Sequence, residues 1–357
     1  MKLTALEFLI WLNGIEVQKQ KREALWAAYK ADRGFLDCPD ILVERIGEGP
    51  AKNALLTYDK IYLDSIVTAC RQSGVKIVTA LDEEYPERFT ERDFDRPYVL
   101  YCLGDVSLLN GKNIAIVGTR HVSAYGRRAT ERFAEELTRW GFNIVSGMAM
   151  GADAIAHQAC LDASGKTVAV LASGFKHAGP QCNIGIYHRI LETGLAVTEY
   201  PPDFMGQKYT FPRRNRLISA LSDAVVITEA GEDSGSLITA EHAIAQDVPV
   251  MALPGRIDDP MSQGTLGLIR KYSQAMVYKP EQVLDELGIW YGKEEKQSAM
   301  QLDFYESKLL DLLRQGDLHY DMIFEAMEKP VGELNNLLMQ LEIKKLIRRN
   351  GASYRLA

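Results

Sequence analysis

The chain has 357 residues, of which 46% are hydrophobic and 25% charged, and its formal net charge is −7. That length allows two or three domains with a substantial buried core, and the acidic balance excludes a protein that coats nucleic acid with a generally basic surface. No apolar run is long enough for a membrane-spanning helix, and Glu7 interrupts the N-terminal apolar stretch with no small-residue cleavage site after it, so neither a membrane anchor nor a signal peptide is expected.

Residues 1–74 read as short helices and predict a small helical module of the SAM or helix-hairpin-helix type. "GVKIVTALDEEYPERF" and "RPYVLYCLGD" then form a short extended lead-in to the next domain, which spans 75–288. Apolar runs alternate there with helix-period stretches. The candidate strands are "IAIVG" (114–118), "NIVSG" (143–147), "TVAVLAS" (167–173), "LAVTEY" (195–200), "AVVITEA" (224–230) and "VPVMALP" (248–254). They are short, β-branched and nearly free of charge, as strands buried on both faces should be. Strand–helix alternation of this kind predicts an α/β fold with a central, doubly wound parallel sheet. Residues 289–301 read as a linker. In 302–357, three amphipathic stretches and a hairpin around Asn350-Gly351 predict a winged helix. That tail holds eight bases and nine acids, which argues against strong duplex binding.

The five cysteines (Cys38, Cys70, Cys102, Cys160 and Cys182) are odd in number and form no C-x-x-C pair. This suits a reducing cytoplasm and opposes a disulfide framework or a zinc ribbon. The six histidines lack metal-ligand spacing, so no metal or cofactor is expected.

Ligands of an open parallel sheet bind outside the carboxyl ends of its strands. Three segments leaving those ends contain no acid. Residues 106–130 carry Lys112, Arg120, Arg127 and Arg128; residues 163–191 carry Lys166, Lys176 and Arg189; residues 204–222 carry Lys208, Arg213, Arg214 and Arg216. Together they predict a positive groove for a polyanion on a negative molecule. Glycine-rich turns at Gly118, Gly147 and Gly151 can turn backbone N–H groups toward an anion. Ser234, Gly235 and Ser236 either cap a helix or hold phosphate. No G-x-G-x-x-G or G-x-x-x-x-G-K-[ST] occurs, so neither a dinucleotide site nor a P-loop is supported. Asp153 and His157, four residues apart on a helix, can touch; the spacing fits a helix-start acid holding a histidine better than a metal site, because no third ligand is suitably placed. In "FPRRNR" (211–216), Pro212 fixes the backbone before three arginines, and arginine suits phosphate. Tyr209 and Phe211 beside them can stack on bases, and Phe211 can equally pack in the core.

"VGTR…YG", "SGMAMGADAIAH", "GKTVAVLASG", "TEYPP", "FPRRNRLISALSDAVVITEA", "SGSLITAEHA" and "LPG", in this order across about 75–280, resemble the DNA-processing protein A (DprA/Smf) family. The resemblance implies an extended Rossmann fold flanked by a helical module and a winged helix. It also implies a cytoplasmic, dimeric, single-stranded DNA-binding protein, without catalytic activity, that protects incoming DNA in natural transformation and helps load RecA. It places Arg120 at the family's G-S/T-R arginine, and Arg213, Arg214, Asn215 and Arg216 in its F-P-x-R-N-R motif. Ser146, Gly147, Gly151, Asp153 and His157 fall in its S-G-x-A-x-G-x-D-x-x-x-H motif. The chain departs from the family at "GFKHAGPQCN": Gly174, Pro180 and Asn183 match, but Lys176 and Gly179 replace an Asp and a Tyr, and Gln181 and Cys182 stand where bases usually follow the proline. DNA contacts from this loop are therefore in question, with Lys176 or Arg189 as substitutes. "GTLGLIR" lacks the family's Asn at Leu266 or Gly267. The expected DNA-binding set is Arg120, Ser146, Gly147, Lys176, Asn183, Arg213, Arg214, Asn215, Arg216, Ser234, Gly235 and Ser236. The alternative is a nucleotide-processing enzyme on a related scaffold, a phosphoribohydrolase, although "EAGEDSGSLITAEHA" lacks that family's P-G-G-x-G-T core.

Overall fold

A computed structural model of the chain describes residues 3–15, 17–32, 59–272, 276–289, 304–314, 316–343 and 346–356, with 44, 47 and 49 as single positions. Two units separate, at 1–290 and 291–357. The linker expected over 289–301 lies, apart from Ile289, outside the described residues, as does Cys38.

The first unit is built on an eight-stranded sheet in the order β1-β2-β6-β5-β4-β3-β7-β8. Its parallel part holds the six expected strands: β3 (Asn113–Val117), β4 (Asn143–Ser146), β5 (Thr167–Val170), β6 (Leu195–Thr198), β7 (Ala224–Ile227) and β8 (Val250–Ala252). Every residue of β3, β5, β6 and β7 is buried, as their charge-free sequences require. From β3 the chain winds through β4 and β5 to β6, then returns to the other side of β3 for β7 and β8. The order thus reverses between β3 and β7, and the ligand crevice of a doubly wound sheet opens there.

The lead-in is more than an extended connection. β1 (Lys76–Thr79) and β2 (Val99–Gly104) pair antiparallel with each other, and β2 pairs antiparallel with β6. The N-terminal helices α1 (Ala5–Gly14), α2 (Lys19–Ala31) and α3 (Lys60–Gln72) share a core with these strands. Phe8, Trp26 and Tyr29 stack there, with Phe8 and Tyr29 centroids 3.9 Å apart. Asn13 pins α1 to the sheet: its side chain donates to the Glu199 carbonyl at 2.8 Å and accepts from the Tyr98 N–H at 2.9 Å. The break expected at 74 is therefore not a gap in packing. A further helix, α4, spans Arg88–Glu91.

Between the parallel strands lie α5 (Ala124–Arg139), α6 (Ala152–Asp162), α7 (Ile184–Thr193), α8 (Thr210–Ala220) and α9 (Gly235–Ala245), followed by α10 (Gln263–Lys271) and α11 (Glu281–Glu286). Ser123 caps α5, its hydroxyl accepting from the Gly126 N–H at 3.0 Å and donating to Glu229 at 2.5 Å. Glu229 follows β7, so this buried carboxylate ties the two sides of the crevice together. Gly118 is required by close approach: a Cβ there would lie 2.8 Å from that of Ala152 and 2.9 Å from the Glu229 carbonyl oxygen.

The second unit runs α12 (Phe304–Leu313), β9 (Leu318–His319), α13 (Tyr320–Met327), α14 (Val331–Ile343), β10 (Ile347–Asn350) and β11 (Ser353–Leu356). Its strands form one antiparallel sheet in the order β10-β11-β9, over a core of Leu309, Ile323, Met327, Leu334, Leu338 and Tyr354. β9 was not expected; two residues are too few to show periodicity. Asn350 pairs with Ser353, so the turn residues are Gly351 and Ala352 rather than Asn350 and Gly351. Gly351 supplies the positive φ (64°) such a turn needs.

Candidate functional site

At the carboxyl edge, around the β3–β7 crevice, lies a cavity of about 1450 Å³. All three acid-free segments reach it. The first contributes Thr119, Arg120 and His121; the second Leu171, Ser173 and His177; the third Lys208, Phe211, Arg214 and Asn215. Gly147–Met150 after β4 and Gly231–Ser236 after β7 add to the wall. The wall also holds four acids from outside the three segments, Asp153, Glu232, Asp233 and Asp258. Of these, Asp258 is already paired with Arg256 at 2.8 Å.

"FPRRNR" forms the first half of α8. Thr210 anchors that helix by donating to the Ala172 carbonyl at 2.7 Å. At 3.6 residues per turn, positions 211, 214, 215 and 218 share one face, and 209, 213 and 216 another. Phe211, Arg214, Asn215 and Ile218 line the crevice cavity, whereas Tyr209, Arg213 and Arg216 line a second one, of about 660 Å³.

Arg214 is the innermost base of the crevice. Its guanidinium donates to the carbonyls of Gly147 and Val170, and the side chain is almost wholly buried. Burial pushes it down to about 10; Asp153 opposes that and Arg120 adds to it, so the group stays protonated at neutral pH. Arg120 and Lys208 are exposed and have no ion-pair partner among the described residues. Phe211 is 42% exposed.

The Gly147–Met150 loop is held in an unfavourable shape from both sides. Met148 has φ 61°, a left-handed conformation that costs a non-glycine residue. Asp153 accepts from the N–H groups of Gly147 (3.1 Å) and Ala149 (3.2 Å). Asn183 donates to the carbonyls of Met148 (3.1 Å) and Ala149 (3.0 Å). Burial pushes the Asp153 carboxyl up, against the pull of Arg214 and of these N–H groups.

Of the expected contact residues, Arg120, Gly147, Arg214, Asn215, Ser234, Gly235 and Ser236 meet in the crevice cavity. Ser234 also caps α9, its hydroxyl accepting from the Ser236 N–H at 3.4 Å, so the two readings of that serine coincide. The other five are placed elsewhere. Ser146 is buried and donates to the Ile116 carbonyl at 2.7 Å, bracing β4 on β3. Asn183 is committed to the loop just described. Lys176 is paired with Asp203 at 2.6 Å and is not in the cavity wall. Arg216 binds Glu199 at 2.7 Å, and Arg213 reaches Glu199 at 3.6 Å and Asp95 at 3.8 Å. Asp153 does not hold His157: the His157 Nδ1 lies 2.7 Å from the Thr167 hydroxyl, which itself donates to the Ile144 carbonyl. Of the other segment bases, Arg189 pairs with Asp162 and Lys166 with Asp105. Lys208, His121 and His177 join the site although no motif singled them out. For Lys208 the signal was available, as the base three residues before Phe211 in the third segment.

A doubly wound sheet with a glycine-walled crevice at its switch point, into which Arg120, Lys208 and Arg214 reach, defines a Rossmann-like ligand-binding protein. The family described as DNA recombination-mediator protein A matches residues 76–288, and the chain belongs to that family. DNA processing protein DprA of Bacillus subtilis is 37% identical over 63% of this chain and 75% of its own. Protein Smf of Escherichia coli is 34% identical over 81% and 79%. The X-ray structure of DprA from Streptococcus pneumoniae superposes with a TM-score of 0.69 at 30% identity, covering 80% of this chain and all but 1% of that one (99%). DprA from Helicobacter pylori, whose structure is described for its single-stranded DNA binding mode, gives 0.54 at 34% identity, over 59% and 95%. Among the described residues no helix is long and apolar enough to cross a membrane.

Proposed function

We propose that the crevice binds single-stranded DNA without reading its sequence. One observation carries this: three acid-free segments, distant in sequence, converge on a single cavity and present Arg120 and Lys208 unpaired, with Arg214 fixed behind them. The exposed Phe211 ring offers a face for a base, and base–aromatic stacking tolerates any sequence. Asp153 is committed to two backbone N–H groups, which supports binding rather than general-base catalysis. Following the family resemblance, the chain acts in the cytoplasm as a homodimer, protects incoming DNA during natural transformation and helps load RecA. Residues 304–356, as a nearly charge-balanced winged helix, contact protein rather than duplex DNA.

Oligo-dT binding against salt tests the crevice. Affinity falls steeply with salt in the wild type. Arg120→Ala and Lys208→Ala each weaken binding and each lower the salt slope by about 0.7, the loss of one phosphate contact. Unchanged affinity and slope in both variants would overturn the reading.

A further inference from the structure

The second cavity lies on the other face of α8, within the first unit, between that helix and the start of α2. Its wall includes Arg22, Arg213 and Arg216, with Gln18, Tyr209, His242 and one acid, Asp95, beside them. We propose that it is a separate anion site that takes a phosphate group, as the free ion or as a terminal ester.

Charge is the first support. Arg22 binds Asp95 at 2.9 Å, Arg216 binds Glu199 at 2.7 Å, and Arg213 reaches both acids. Among the described residues three guanidiniums thus share two carboxylates, leaving one positive charge uncompensated in a poorly solvated place. Burial, then Arg216, push the His242 imidazole down, so it adds no charge at neutral pH.

Unmet hydrogen bonding is the second. Arg22 and Arg216 are 2% and 5% exposed, yet Nε of Arg22 and both Nε and Nη1 of Arg216 have no partner among the described residues. A buried charged donor without an acceptor is costly. Arg213, more exposed than the other two, opens the cluster to solvent. Guanidiniums in such a group match the oxygens of a phosphate in geometry and charge. The volume, about 660 Å³, is that of a small-molecule site. Tyr209 is 48% exposed at its edge and can cover an attached sugar or base.

The site does not depend on what the crevice binds, and one titration separates the two. Inorganic phosphate is titrated at constant ionic strength, in chloride, and followed by phosphorus NMR or calorimetry. Wild type and Arg120→Ala, which alters only the crevice, should bind alike. Arg213→Gln should bind at least tenfold more weakly. So should Gln18→Glu, which adds a carboxylate to the cavity wall at an exposed helix N-cap and therefore leaves the fold intact. Absence of saturable binding overturns the proposal, as does binding lost in Arg120→Ala and kept in the other two. Competition by oligo-dT with and without a 5′-phosphate identifies the source. Displacement by the phosphorylated strand alone makes a DNA end the ligand, and displacement by neither makes it the free ion. Displacement by both alike puts the phosphate on the DNA path of the crevice and overturns the proposal.

Discussion

The guanidinium of Arg214 fills the space that a side chain at Gly147 would need: a Cβ there would lie 2.6 Å from Nη2 and 2.7 Å from Cζ. The arginine cannot swing aside without losing the Gly147 and Val170 carbonyls. Gly147→Ala should therefore cost about 1–3 kcal/mol, the range for overpacking a filled interior, and displace the central base of the crevice. Gly235→Ala is the control. It also lines the crevice, but a Cβ there meets nothing within 4 Å, so its stability should stay within about 0.5 kcal/mol of wild type. Urea unfolding of the two variants checks this.

Arg214 and Arg120 should separate under truncation. Arg214→Ala removes two charge-assisted hydrogen bonds from a buried position, each worth about 1.5–3 kcal/mol, so it should lose about 3 kcal/mol or more of stability along with DNA affinity. Arg120 is exposed and unpaired, so Arg120→Ala should lose affinity while staying within about 0.5 kcal/mol of wild-type stability. Paired denaturation and oligo-dT binding curves measure both effects. Equal stability of the two variants would mean that Arg214 is a surface contact and not the floor of the site.

Arg216 belongs to the frame. Glu199→Gln removes the charge partner of a buried guanidinium and should destabilise by about 3–5 kcal/mol. Adding Arg216→Met to it should recover much of that loss, since the charge that the first substitution left unbalanced is then removed and the cluster returns to the single excess positive charge of the wild type. At a temperature where the double variant is folded, its oligo-dT affinity should match wild type, because neither residue lines the crevice. A loss of affinity comparable to Arg120→Ala would return Arg216 to the DNA-contacting set.

The parallel strands and the crevice were legible because they rest on strong local signals. Runs such as "AVVI" bury on both faces, and absence of acid persists over windows of 19 residues or more. What was not legible is direction. "FPRRNR" looks like one basic cluster in one dimension, yet on α8 its arginines diverge, 214 to the crevice and 213 and 216 to Glu199. That division needs the helix itself, which tolerates Pro212 in its first turn. Ser146 and Asn183 fit a family motif, but motif membership does not distinguish a ligand contact from a brace. Asn183 secures the positive φ of Met148, and no sequence pattern announces that constraint. β1 and β2 escaped as strands because their pairing partners, each other and β6, are set by tertiary packing.

His157 should make the protein acid-sensitive. The Thr167 hydroxyl gives its hydrogen to the Ile144 carbonyl, so Nδ1 of His157 is the donor in their contact and Nε2 is left unprotonated and without a partner among the described residues. Burial, with Arg214 adding to it, holds the imidazole pKa down at about 3, well below its ordinary 6.5. Between those values the unfolded chain binds a proton that the folded chain refuses. This group's contribution to stability is thus complete above about pH 6.5 and is lost as pH falls toward 3, at up to about 1.4 kcal/mol per unit. His157→Gln removes the titration. Urea unfolding from pH 6 to 4.5 should show the wild type losing stability more steeply than the variant, by close to that amount per unit. Equal slopes would mean that the imidazole is solvated or paired in the folded protein, and that the packing beneath the Gly147 loop is looser than described.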